Sequence, residues 1–191
     1  MAAVAKPPSV RLGTLPDQMR RQILDLYRSM GGAQPEPRLA PGAWDLALAD
    51  GRLVELDEEF HFTRYRAATL EADFAGHLPW ASAYRTYVKQ FERRAIAPGN
   101  RWASPSSIAM FGGADPVGEF FTFGSPRGKQ RAIYDAMKDA AAAAGVVSLV
   151  RVSVYDSIGE ATLEGVVRGR AAPNPPALAE LVDRRTSQPI V

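Results

Sequence analysis

The chain has 191 residues, 46% of them apolar and 23% charged, with a net charge of +2. That length suffices for one domain with a real core, and the absence of cysteine excludes disulfides, thiolate metal sites and cysteine nucleophiles. No window is apolar enough for a signal-peptide core or a membrane span, so a cytoplasmic protein with no membrane partner is expected; the small positive charge permits nucleic-acid binding without arguing for it.

Residues 1–13 read as a flexible arm carrying Pro7 and Pro8. Leu15, Met19, Ile23, Leu24, Tyr27 and Met30 then recur at helical spacing, with Thr14 as N-cap and Gly31-Gly32 as the stop. Pro37–Ala40 is a candidate edge strand in the proline-bearing segment that follows. Two apolar runs, Trp44–Leu48 and Leu53–Leu56, flank Asp50-Gly51, which predicts a buried hairpin. A polar, aromatic-rich stretch leads on through His61 to Arg66. Trp80, Tyr84, Tyr87, Val88 and Phe91 predict a helix over Pro79–Ile96 with its aromatic residues in the core. Residues 97–126 read as a long ordered loop, and 127–144 as a helix of strong formers that ends at Gly145. In Val146–Tyr155 the apolar Val150, Val152 and Val154 alternate with Arg151 and Ser153, the pattern of a strand. Leu163–Val167 is one more short element. Pro173, Pro175 and Pro176 mark a boundary before a small helix, Ala177–Arg184, and a frayed tail.

These elements describe one α/β domain over residues 14–172, a mixed sheet flanked by helices with the hairpin central. Residues 67–126 are expected to form a helical and irregular insertion, and 173–191 a C-terminal tail with a short helix.

The chemistry concentrates on the hairpin. Asp45 interrupts its first run and Glu55 its second, with Asp57 two residues on and His61 just beyond. Carboxylates in apolar strands are costly to desolvate unless a metal or a positive partner compensates. In one reading, Asp45 and Glu55 reach a single hard cation from adjacent strands, with Asp57 as a third ligand. Mg²⁺ suits such a site, taking a few carboxylates, several waters and a substrate phosphate, and would acidify a bound water for attack on phosphorus. His61, or Lys129 or Lys138 from the later helix, would assist proton transfer. Arg64 and Arg66, interleaved with Phe62 and Tyr65, suit contacts to phosphates and bases. In the other reading, the same carboxylates pair with Arg64, Arg66 or Arg151 in a structural network. The Arg131–Asp135 and Asp135–Lys138 spacings then only stabilise a helix.

Asp45, the run Glu55-Leu56-Asp57 and His61 resemble the motif of the PD-(D/E)XK nuclease superfamily, most closely its very-short-patch-repair-like branch. The resemblance covers about half of the chain. It implies a restriction-endonuclease-like core in the order helix, three strands, helix, strand, with Pro37–Ala40 as the first strand and Lys129–Val154 as the closing helix and strand. It also implies Mg²⁺ or Mn²⁺ as cofactor and metal-dependent cleavage of nucleic acid, DNA more than RNA. Asp45 and Glu55 would be metal ligands with Asp57 as a third, His61 or Lys138 would assist proton transfer, and Arg64 and Arg66 would hold the substrate backbone. The lysine of the superfamily's name is replaced by Asp57, which also admits a catalytically inactive descendant used for binding or assembly.

Overall fold

Side-chain alternation along two short parallel strands decides the architecture. In the computed structural model, which describes residues 7–97 and 102–189, β1 (Leu46–Ala47) runs antiparallel to β2 (Leu53–Asp57), and β2 runs parallel to β3 (Leu149–Ser153). Glu55 lies opposite Arg151 and Leu53 opposite Leu149. Successive side chains of a strand point to opposite faces. Leu53, Glu55, Asp57, Leu149, Arg151 and Ser153 therefore share one face, and Val54, Leu56, Val150 and Val152 share the other. Both faces are covered, so all five residues of β3 are buried. The protein is mixed α/β, with seven α-helices among the described residues and none long and apolar enough to cross a membrane.

The first face packs against α5 (Pro126–Ala143). Ser125 caps this helix by accepting the Gly128 N–H at 3.0 Å, Pro126 follows the cap, and Gly145 at φ +69° lies just past its end. Ala140–Ala143 are all solvent-inaccessible, so the alanine run is a close-packed face. α1 (Asp17–Ser29), α2 (Arg64–Thr69), α3 (Ala81–Ala95) and α4 (Pro105–Phe111) complete that side. Their Ile23, Tyr27, Tyr84, Met110 and Phe111 join Trp80, Leu53, Leu149, Ile133 and Met137 in one apolar cluster. The opposite face is closed by α6 (Leu163–Val167), α7 (Pro175–Arg184) and the small ribbon of β4 (Ser157–Ile158) and β5 (Ala161–Thr162), through Ile158, Leu163 and Leu181.

Several expectations need correction. Pro37–Ala40 forms no strand: Pro35, Pro37 and Pro41 supply no backbone donors, and Leu39 anchors the segment by burying its side chain. Thr14 does not cap α1. It closes a 3₁₀ turn over Leu12–Thr14, its hydroxyl donating to the Arg11 carbonyl at 2.7 Å, and Pro16 precedes the helix. The hairpin is not buried throughout, since β1 is exposed, with Leu46 61% accessible, and β2 occupies the centre of the sheet. The described part of 67–126 contributes Phe74, Trp80, Tyr84 and Phe111 to the main core, and includes the helix Pro105–Phe111 where a loop was expected. The described part of the N-terminal arm packs as well, with Val10 buried and the Trp44 indole donating to the Pro8 carbonyl at 2.8 Å. Residues 1–6 of the arm lie outside the described residues.

The C-terminal segment is docked rather than frayed. Leu181 is buried, the Ser187 N–H donates to the Leu149 carbonyl at 2.7 Å, and Arg185 pairs with the buried Asp156. Leu181→Ala is expected to lower unfolding stability by about 2–4 kcal/mol in urea titration. A loose tail would show no change.

Candidate functional site

Beyond Leu53 and Leu149 the face of the sheet that meets α5 becomes charged. Arg151 is solvent-inaccessible and its guanidinium faces four carboxylates. Nη1 lies 3.0 Å from Asp57 Oδ2 and 3.3 Å from Asp135 Oδ1, Nε lies 3.3 Å from Asp139 Oδ1, and Nη2 lies 3.8 Å from Glu55 Oε2. Arg66, equally buried on α2, reaches Asp139 Oδ2 at 2.7 Å. Burial alone would favour the neutral form of Arg151, but Asp57, Asp139, Asp135 and Glu55 outweigh it and hold the charge firmly.

Asp57 and Asp135 each spend one oxygen on Arg151 and turn the other toward His61. The His61 Nδ1 lies 2.8 Å from Asp135 Oδ2 and 3.3 Å from Asp57 Oδ1. Asp57 Oδ1 is buried and, among the described residues, has no hydrogen-bond partner. One ligand atom from each of Asp57, His61 and Asp135 lies within 4.8 Å of the other two, a group able to hold a metal ion. The two distances to His61 suit neighbouring ligands on an ion bound at ~2.1 Å, and Arg151 holds both carboxylates in orientation from behind.

Beside this group, Lys138 donates to Glu55 Oε1 at 2.6 Å and to the Ala43 carbonyl at 2.9 Å, with its ammonium 5.0 Å from the centre of the Trp44 ring. Burial pushes the Glu55 carboxyl up, against the opposing pull of Arg151 and Lys138. Asp45 is exposed and accepts the Leu56 N–H at 2.8 Å, which ties β1 to β2. Asp45, Glu55, His61, Asp135 and Lys138 line one cleft of about 600 Å³ together with Arg127 and Arg131. Arg131 donates to the Phe60 carbonyl at 3.0 Å and Arg127 to the Gln130 side chain. Among the described residues neither arginine forms an ion pair.

The structure thus brings Asp45, Glu55, His61 and Lys138 to one cleft, with Asp57 buried behind His61. It does not bring the expected substrate arginines there. Arg66 is locked inside the core on Asp139, so it offers nothing to a phosphate. Arg64 lies on the surface, where its Nε is 2.9 Å from Glu92 Oε1 and its guanidinium stacks 3.6 Å from the centre of the Phe120 ring. The helical Arg131–Asp135 and Asp135–Lys138 pairs do not form either, because Asp135 and Lys138 turn toward the sheet.

Asp135, Arg127 and Arg131 were absent from the expected site. A signal for them existed: positions 127, 131, 135 and 138 are spaced four, four and three apart, one stripe of a helix. Asp139, four positions after Asp135, continues the same stripe, whereas Arg66 carries no such mark, since its pairing depends on how α2 crosses α5.

Burial raises the Asp135 carboxyl pKa, but the charges of His61 and Arg151 and the hydrogen bond from His61 overcome this and hold it well below its ordinary 3.8. A carboxylate whose folded pKa is depressed stabilises the fold above its unfolded pKa and loses that contribution as the pH falls through the folded value. The stability difference between wild type and Asp135→Asn is therefore expected to shrink as the pH falls below ~4. Denaturant titrations across pH measure it.

No curated protein matches the chain, and no solved structure matches it. Residues 25–168 match the model of a family of unknown function, DUF7255, a span that includes the sheet, α2–α5 and every cleft residue named above. The chain belongs to this family, DUF7255.

Proposed function

We propose that this protein is a metal-dependent nuclease, hydrolysing phosphodiester bonds of nucleic acid, DNA in preference to RNA, on a restriction-endonuclease-like core. The observation that carries this reading is the division of one cleft into an acidic, metal-capable floor and a rim of two arginines without ion pairs. The charge balance supports it. Glu55, Asp57, Asp135 and Asp139 face three fixed cations, Arg66, Arg151 and Lys138, leaving one negative charge in excess when His61 is neutral. A dication converts that deficit into one positive charge, the complement of a single phosphodiester.

In this reading Asp57, His61 and Asp135 hold the ion. A ligand set that includes imidazole favours Mn²⁺ over Mg²⁺, which prefers oxygen donors throughout. The bound ion supplies Lewis acidity and a water of lowered pKa. Arg127 and Arg131 hold the scissile phosphate against the floor by charge-assisted hydrogen bonds. Lys138 gives its proton to the leaving oxygen, and Glu55 keeps that ammonium in place between turnovers. Asp45 holds the strand that forms the outer wall.

The test is nicking of supercoiled plasmid with Mg²⁺ or Mn²⁺ present. Wild type is expected to nick, with Asp135→Asn and Lys138→Met each at least about a hundredfold slower and Arg131→Ala impaired chiefly in KM. Undiminished cleavage by Asp135→Asn would locate the chemistry elsewhere.

A second reading, an inactive descendant used for binding or assembly, is favoured by Arg151, which already neutralises part of the charge that a metal would meet. Melting curves separate the two. Under the nuclease reading MnCl₂ raises the melting temperature of wild type and leaves His61→Ala unmoved. Indifference of wild type to Mn²⁺, together with no nicking, would establish the inactive form.

A further inference from the structure

On the other side of α5 lies a second, differently built pocket. It has a volume of about 530 Å³, and none of its lining residues lines the acidic cleft. Lys129 projects into it and is only 8% exposed. Among the described residues its ammonium makes neither a hydrogen bond nor an ion pair; its neighbours are the rings of Tyr65 and Phe111, with centroids 5.8 and 5.6 Å away. Facing rings recover only part of the cost of desolvating an ammonium. The stem of Lys129 is buried, and among the described residues its ammonium, at the pocket surface, has no anion in contact.

Among the described residues no carboxylate forms an ion pair with Lys129. The Asp115 charge acts on Lys129 from a distance, without an ion pair between them, and the Asp115 Oδ2 is turned to the N–H groups of Thr122, Phe123 and Gly124 at 2.8, 3.0 and 2.7 Å. Glu92 is engaged by Arg64. Opposite Lys129 the wall is glycine: Gly31 stands at φ +82°, and a Cβ there would come within 3.8 Å of Nζ.

The rim is aromatic and held in place. The three bonds to Asp115 fix the turn that carries Phe120 and Phe123. Phe120 is covered by Arg64, while Phe123 lies against Gly113, where an added Cβ would meet its ring at 2.8 Å, and remains 41% exposed. A fixed, half-exposed ring beside an uncompensated ammonium matches a ligand that is planar at one end and anionic at the other.

From this juxtaposition we propose that the pocket of Lys129, Tyr65 and Phe123 binds a nucleoside monophosphate unit, its phosphate on Lys129 and its base against Phe123. The unit is either a free nucleotide or part of a single strand, since both offer the same phosphate and base. Stacking on an aromatic ring beside a basic group is a general means of holding such units. This inference does not rest on the nuclease reading, and its failure leaves that reading untouched.

Calorimetric titration of the full chain in EDTA tests it, with adenosine 5′-monophosphate as probe, inorganic phosphate and adenosine as controls, and a short 5′-phosphorylated single strand of deoxyadenylate as the second source. The monophosphate is expected to bind more tightly than either control. Lys129→Met, which keeps the apolar stem, is expected to weaken it at least about tenfold without lowering the melting temperature, and Phe123→Leu to weaken the monophosphate but not inorganic phosphate. Binding of the single strand that depends on Lys129 assigns the unit to a strand, and binding of the monophosphate alone assigns it to the free nucleotide. No binding of either probe, equal binding of phosphate and monophosphate, or binding unchanged in Lys129→Met would overturn the proposal. So would a lower melting temperature of Lys129→Met, because the lysine would then be compensated within the fold.

Discussion

The buried guanidinium of Arg151 is the interaction on which both the packing and the cleft depend. It sits on the central pair of strands, opposite Glu55 in the register, and gathers acids from β2 and α5 around it. Desolvating an ion is expensive, and mutual attraction offsets that cost only when several well-placed partners surround it. Here each partner has a second duty. Asp139 also holds Arg66 of α2, Asp135 and Asp57 also meet His61, and Glu55 also meets Lys138. The network therefore joins α2, α5 and the sheet where apolar contacts give out.

That arrangement grades the sheet from one end to the other. Leu53 and Leu149, at the starts of parallel strands, belong to the apolar core with Ile133 and Met137. Asp57 and Ser153, at their ends, border the charged layer. Open parallel sheets bind ligands beyond the carboxyl ends of their strands, and the cleft lies on that side. Orientation of carboxylates from behind by a buried cation also means that their outer oxygens are placed before any ligand arrives, which lowers the cost of binding.

α5 serves two surfaces because a helix presents a new face every few residues. Arg127, Arg131, Asp135 and Lys138 face the acidic cleft, while Lys129 projects to the aromatic pocket beside α1 and α2. The buried alanines toward its end allow close approach to the core, which keeps both sets of side chains in fixed positions.

Local pattern by itself determined much of this protein. The spacing of Ile23 and Tyr27, of Tyr84 and Val88, and the formers after Pro126 determined three helices; Asp50-Gly51 determined the turn; and carboxylates among the apolar residues of β2 marked where a cation was needed. Such signals are legible because helical and strand periods act over neighbouring residues. Tertiary structure alone decided which cation meets those acids and which side chains meet solvent. Nothing near Arg66 in the chain distinguishes it from Arg64, two positions away, yet Arg66 is buried and Arg64 lines an open pocket. The crossing of α2 over α5 and the parallel register of β2 on β3 make that choice. Both join residues dozens of positions apart, so the fate of a charge is a property of packing rather than of its neighbours in the chain.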